Sequence, residues 1–153
     1  MASNRADSDQ ALRLFQESYD LGKEIDDKKR IMIASINLGN IAWGQSRFND
    51  AEKIWSETLS LSIESGNANN QAMLLVSLGI LATWRGEFER AKAYFEQSLG
   101  YFNQGGSSEQ LAGSLFNFAE LLARLGDYEG AKQKLKEAYS QYLRHFFDVG
   151  KLV

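Results

Sequence analysis

The stretch LGNIAWGQSRFNDA, Leu38 to Ala51, is answered forty residues on by LGILATWRGEFERA, Leu78 to Ala91. It returns once more as FAELLARLGDYEGA, Phe118 to Ala131. The phase holds column by column: Leu38, Leu78 and Phe118; Gly39, Gly79 and Ala119; Ala42, Ala82 and Leu122; Phe48, Phe88 and Tyr128; Ala51, Ala91 and Ala131; Trp55, Phe95 and Leu135. Upstream, Ala11, Phe15 and Tyr19 fall in phase with Ala51, Trp55 and Leu59, so the second half of the unit occurs once more. Self-similarity at a fixed period of this length marks a solenoid, in which one helix pair cannot bury its apolar face alone and stacked copies can.

Each unit divides into two amphipathic helices. Ile31, Ile33, Leu38, Ile41 and Ala42 recur at helical spacing in the first, as do Leu74, Leu75, Leu78, Leu81 and Ala82 one period later. Ala91, Tyr94, Phe95, Ser98, Leu99 and Phe102 make one face of the second. Small residues in the Gly39 and Ala51 columns allow close helix crossing, and the ring one turn after the alanine fills the space beside it. Gly86 and Gly126 punctuate the turns, because glycine enters a left-handed backbone without strain. Ser46 stands there in the first unit, so that turn is expected to be the least regular. Glu87, Glu89, Asp127 and Glu129 complement the dipole of the helix that follows. The reading is seven helices, over about 8–24, 29–45, 48–64, 69–85, 88–103, 108–125 and 128–146.

At 153 residues, 44% hydrophobic and 24% charged, the composition is that of a folded soluble chain. No apolar run approaches the length of a membrane helix, and the opening MASNRADSDQ carries no secretory signal. There is no cysteine, which removes disulfides and thiolate metal sites and fits a reducing, cytoplasmic setting. A net charge of −3 is too mild to imply nucleic acid or an anionic membrane as partner. The single His145 has no second His or Cys to complete a metal site, and no Ser/His/Asp set or phosphate-binding glycine loop stands out. No catalytic residue, metal or cofactor is assigned. Asp26 and Asp27, against Lys28, Lys29 and Arg30, read as a loop and helix start.

INLGNIAWGQSRFNDAEKIWSETLSL resembles a tetratricopeptide repeat, with its Leu-Gly, its Gly-x-Phe/Tyr, its alanines and its aromatics. The likeness covers nearly the whole chain: a half repeat over 8–28, repeats over 29–67, 68–107 and 108–147, and the start of a truncated unit over 148–153. The usual period is shorter and closed by proline; a proline-free period of forty resembles the long-period branch of kinesin light chains, spindle adaptors and bacterial regulatory proteins. The resemblance implies an all-α, right-handed α-solenoid of antiparallel helix pairs. It also implies a concave face lined by the first helix of each pair.

Carried over by position, that face holds Ile36, Asn37, Asn40 and Trp43, then Met73, Val76, Ser77 and Ile80, then Phe116, Asn117 and Glu120. The family's carboxylate clamp is not expected, because Ile36, Ser77, Gly113 and Asn117 stand where it needs bases and an asparagine, and only Asn40 matches. What remains is a polar row (Asn37, Ser77, Asn117) beside an apolar row (Ile36, Val76, Phe116), suited to the backbone and side chains of a peptide. The alternative is that both rows serve packing. Trp43 and Trp84 are either exposed anchors or caps on helix packing.

The expected function is a protein–protein interaction module that binds a helical or extended, apolar or amphipathic segment of a partner. Two alternatives stand beside it: a regulatory or sensor segment of a larger signalling protein, and a self-associating unit. Tyr142, Leu143, Phe146 and Phe147 have no following helix to cover them, which points to a piece of a longer array or to a homo-oligomer through the uncapped C-terminal helix.

Overall fold

A computed structural model describes residues 2–102 and 107–150, with side chains over 9–102 and 107–147. The described residues form seven α-helices: α1 (Ala2–Glu24), α2 (Lys28–Gly44), α3 (Phe48–Glu64), α4 (Ala68–Trp84), α5 (Phe88–Phe102), α6 (Ser108–Arg124) and α7 (Tyr128–Gly150). They group into two compact units, Met1–Gly66 with α1 to α3 and Asn67–Val153 with α4 to α7.

A seventeen-residue helix and a three-residue turn make a half-period of twenty. The turns show it directly: a positive φ falls at Asp26, Ser46, Gly66, Gly86 and Gly126. Each of these residues closes its helix by donating its N–H three residues back. At Asp26, Ser46, Gly86 and Gly126 the next N–H reaches five back, as in Asp27 to Gly22 and Asp127 to Leu122. The turn at Ser46, expected to be the least regular, keeps the same bonds at 2.9 and 2.8 Å with a φ of 60°. At Asp26 the three-back bond to the Lys23 carbonyl is longer, at 3.5 Å, while the five-back bond from Asp27 to Gly22 stays at 2.8 Å. Both bonds and the paired helices on either side hold Ser46 in the left-handed region against a local cost of about 1 kcal/mol.

Helix starts repeat too. Asp27, Asn67 and Ser107, forty residues apart, cap α2, α4 and α6 by accepting the N–H of Arg30, Asn70 and Gln110. At Ser107 the Gln110 side chain returns the bond, completing a capping box.

In the first unit α2 packs between α1 and α3. Trp43 meets Phe48, Gly39 meets Trp55, and Met32 meets Ser65, so α2 and α3 run antiparallel. Met32, Ala34, Leu38, Ala42, Ala51 and Trp55 are its buried apolar residues. In the second unit α4 pairs with α5 and α6 with α7, and α6 also packs on α5 and α4. Ala82, Ala91, Phe95, Phe118, Ala119, Leu121, Leu122 and Ala131 form its central cluster. Phe95 is 1% exposed, a burial worth about 1.5–3 kcal/mol. Its ring stacks on Phe118 with centroids 5.7 Å apart, and the Ser98 and Ser114 hydroxyls meet at 2.8 Å beside them.

Candidate functional site

Helical spacing sets Met73, Val76, Ser77 and Ile80 along one stripe of α4, and Phe116, Asn117, Glu120 and Arg124 along one stripe of α6. The two helices touch on this side, where the Gln110 amide nitrogen lies 3.4 Å from the Met73 sulfur. Phe116 is 59% exposed and Met73 37%, so the stripe offers apolar surface. Val76 and Ile80 are half-buried and pack against the Phe95–Phe118 cluster, which anchors the stripe to the core. Glu120 is held by Arg124 at 2.8 Å and contributes no isolated charge.

In the first unit Ile36 and Asn37 are half-buried on α2 and Asn40 is exposed. Trp43 sits in the α2–α3 hairpin, edge-on to Phe48 at 5.1 Å and tilted against Trp55 at 6.1 Å. Trp84 ends α4 and is 71% exposed. One tryptophan therefore packs a turn and the other stands in solvent.

The polar row shares one geometry in all three helices. The Asn37 amide donates to the Ile33 carbonyl at 2.7 Å, the Ser77 hydroxyl to Met73 at 3.2 Å, and the Asn117 amide to Gly113 at 2.9 Å. Each group is bonded four residues back along its own helix. A carbonyl acceptor requires the amide nitrogen to face it, so the amide oxygen of each asparagine takes no part in that bond. The row therefore keeps oxygens that are able to accept N–H groups.

Elsewhere the charged groups do structural work. The Arg30 amide N–H holds the Asp27 carboxyl below its ordinary 3.8, with the Arg30 guanidinium assisting against desolvation. The His145 imidazole lies 3.7 Å from Glu109. Among the described residues no three His, Cys, Asp or Glu side chains gather as a metal site, and no helix is long and apolar enough to cross a membrane.

Two features escaped the sequence reading. The capping column Asp27, Asn67, Ser107 was visible as a forty-residue repeat of side chains that accept from backbone N–H. The second is a cavity of about 430 Å³ between α6 and α7, bordered by Phe116, Leu135, Tyr139 and Tyr142. Its signal was Gly113, in the column of Ile33 and Met73.

The model of the tetratricopeptide repeat family matches residues 30–104 and 70–144. No curated protein matches the chain in sequence. The fold is similar to that of BtubC (BKLC) from P. vanneervenii, with a TM-score of 0.78 and 18% identity over 91% of this chain and 58% of that one. It is similar to the Rap conjugation gene regulator of the plasmid pLS20, solved in complex with the Phr peptide, with a TM-score of 0.79 and 18% identity over 92% and 39%. MamA is also similar, with a TM-score of 0.62 and 15% identity over 94% of this chain and 82% of that one. The chain thus spans 58% and 39% of the length of the first two.

Proposed function

This chain belongs to the tetratricopeptide repeat family, and from that premise we propose that it is a protein–protein interaction module. It acts by binding, without chemistry of its own, and holds an apolar or amphipathic peptide segment of a partner on the first helix of each pair. The observation that carries the reading is the α4–α6 stripe, where exposed Met73 and Phe116 lie beside Ser77 and Asn117, whose side chains donate along their own helices and keep oxygens able to accept. Apolar side chains of a ligand would rest on the first two, and its N–H groups would reach the second two. Within the first unit, Ile36, Asn37 and Asn40 offer a surface of the same kind on α2, taken by itself. Peptide binding by the Rap regulator, a protein of similar fold, supports the reading. A cytoplasmic setting is part of it; a regulatory or sensor segment of a larger signalling protein is an alternative to it.

The test is selection of peptides from a random library on the immobilised chain, followed by titration against Met73→Glu and Asn117→Ala variants. Val76 is unsuitable for substitution because it packs on the core. At least tenfold weaker binding by both variants, with unchanged helicity, is expected. Equal binding would remove the stripe from the account.

Self-association through α7 is a second reading, favoured by the exposed Leu135, Tyr139, Tyr142 and Phe146 on that helix.

A further inference from the structure

The Met73 sulfur is met by hydrogen-bond donors from both helices of the stripe. From its own helix the Asn69 amide nitrogen lies 3.7 Å away, and from α6 the Gln110 amide nitrogen lies 3.4 Å away. The orientation of the Gln110 amide is fixed. Its oxygen accepts the Ser107 N–H at 3.4 Å, in the capping box that starts α6, which leaves the nitrogen to face the sulfur. Asn69 stands four residues before Met73, on the same face of α4.

A thioether makes little use of this arrangement, because its sulfur is a weak acceptor. One oxygen atom on that sulfur changes the match. A sulfoxide is polar, and its oxygen accepts N–H groups. Rotation about the flexible Met73 side chain seats that oxygen between the two amide nitrogens. A polar group set among packed side chains costs stability unless it is hydrogen-bonded, and here the donors already stand in place.

Exposure separates Met73 from Met32, the second methionine among the described residues. Met73 is 37% exposed, whereas Met32 is 3% exposed, with the Ser65 hydroxyl 3.6 Å from its sulfur. An oxidant in solution therefore reaches the first sulfur far more readily than the second.

We propose that Met73 is a site of reversible oxidation, and that its sulfoxide, held by Asn69 and Gln110, releases a peptide bound on the stripe. The oxidant is a peroxide. The sulfur lone pair forms the S–O bond as the O–O bond breaks, and the second peroxide oxygen leaves as water or alcohol after proton transfer. The thioether loses two electrons and the peroxide gains them. Beside Phe116 the apolar surface is then interrupted by a polar group, so ligand side chains lose their contact at Met73. This release rests on the peptide-binding reading; the oxidation site and its cradle do not.

Dilute hydrogen peroxide followed by peptide mapping tests the site on the full chain with no ligand present. Met73 should oxidise at least about tenfold faster than Met32; an equal or slower rate would overturn the site. Asn69→Asp/Gln110→Glu tests the cradle by putting carboxylate oxygens where the donors stand. Glutamate keeps the capping box and aspartate suits the first turn of α4, so wild-type helicity is expected. Oxidation should leave wild-type melting nearly unchanged and lower that of the variant by about 4 °C or more. Asn69→Ala, which leaves the capping box untouched, should show a smaller fall of the same kind. Equal falls in wild type and variants would overturn the cradle.

Release is read with a peptide selected on the reduced chain. The oxidised wild type should bind at least tenfold more weakly, and methionine sulfoxide reductases should restore the affinity. Met73→Leu should bind as the wild type does and be indifferent to peroxide. Unchanged binding after Met73 oxidation, or an equal peroxide effect on Met73→Leu, would overturn the release. Binding indifferent to Met73→Glu would overturn the stripe and the release together, while mapping and melting decide the site and the cradle in either case.

Discussion

The indole of Trp55 lies against Gly39 so closely that a Cβ at that position would overlap its ring. One period later Phe95 sits on Gly79, with the nearest ring carbons 3.0 Å from where a Cβ would be. In the third copy the pair becomes Ala119 and Leu135. The size of the ring on the second helix and the bareness of the first thus change together along the columns. The fit has a cost: the Trp55 indole nitrogen is buried without a hydrogen-bond acceptor.

Gly39→Ala should therefore destabilise the chain, although alanine is worth about 1 kcal/mol over glycine in a helix. Overpacking of this kind costs about 1–3 kcal/mol, and the overlap falls on a large ring with no free side. Gly79→Ala should cost less, since Phe95 needs to give by only a few tenths of an ångström. Thermal melting of the two variants checks the order; equal melting temperatures would contradict it.

Ser46→Gly should stabilise. The left-handed backbone costs a non-glycine residue about 1–2 kcal/mol, while the added freedom of glycine in the unfolded chain takes back about 0.4–1 kcal/mol. A net gain of up to about 1.5 kcal/mol is expected from denaturant midpoints. Gly86→Ala, at a φ of 75°, should move the midpoint the other way.

Acid should weaken the start of α2. The folded Asp27 carboxyl titrates below its ordinary 3.8, so its contribution to stability is fully present above that value. It is lost as pH falls from there through the lowered folded value. Asn caps a helix about as well as Asp and does not titrate. The melting temperature of Asp27→Asn should track the wild type at neutral pH and fall less steeply below pH 4; parallel curves to acid would sink this.

Much of the fold was legible because each signal occurs three times. α2, α3, α4 and α6 begin and end within one residue of the limits read from apolar spacing and turn residues. The outer helices were harder. α1 begins at Ala2, where a polar stretch carries no apolar periodicity, and α7 runs to Gly150 with no stop residue after Phe146 to mark an end. The turn at Ser46 was misjudged because its chain of bonds outweighs the local preference of serine.

The site was legible by position and less so by role. Val76 and Ile80 share a stripe with Met73, yet they lean into the core, since a helix face grades from buried to open within one residue step. Trp43 and Trp84 differ by one position in phase, which places one in a hairpin and the other in solvent. The inward turn of the Asn37 and Asn117 amide nitrogens depends on a choice of rotamer that residue spacing does not reveal.

Hydrogen exchange with and without a selected peptide tests the central claim most directly, because it asks where the chain is contacted. Protection is expected along α4 and α6, over residues 73–80 and 113–124, with α5 and the far side of α7 exchanging as before. Protection confined to α5 or α7, or absent from α4 and α6 while the peptide is bound, would contradict the account.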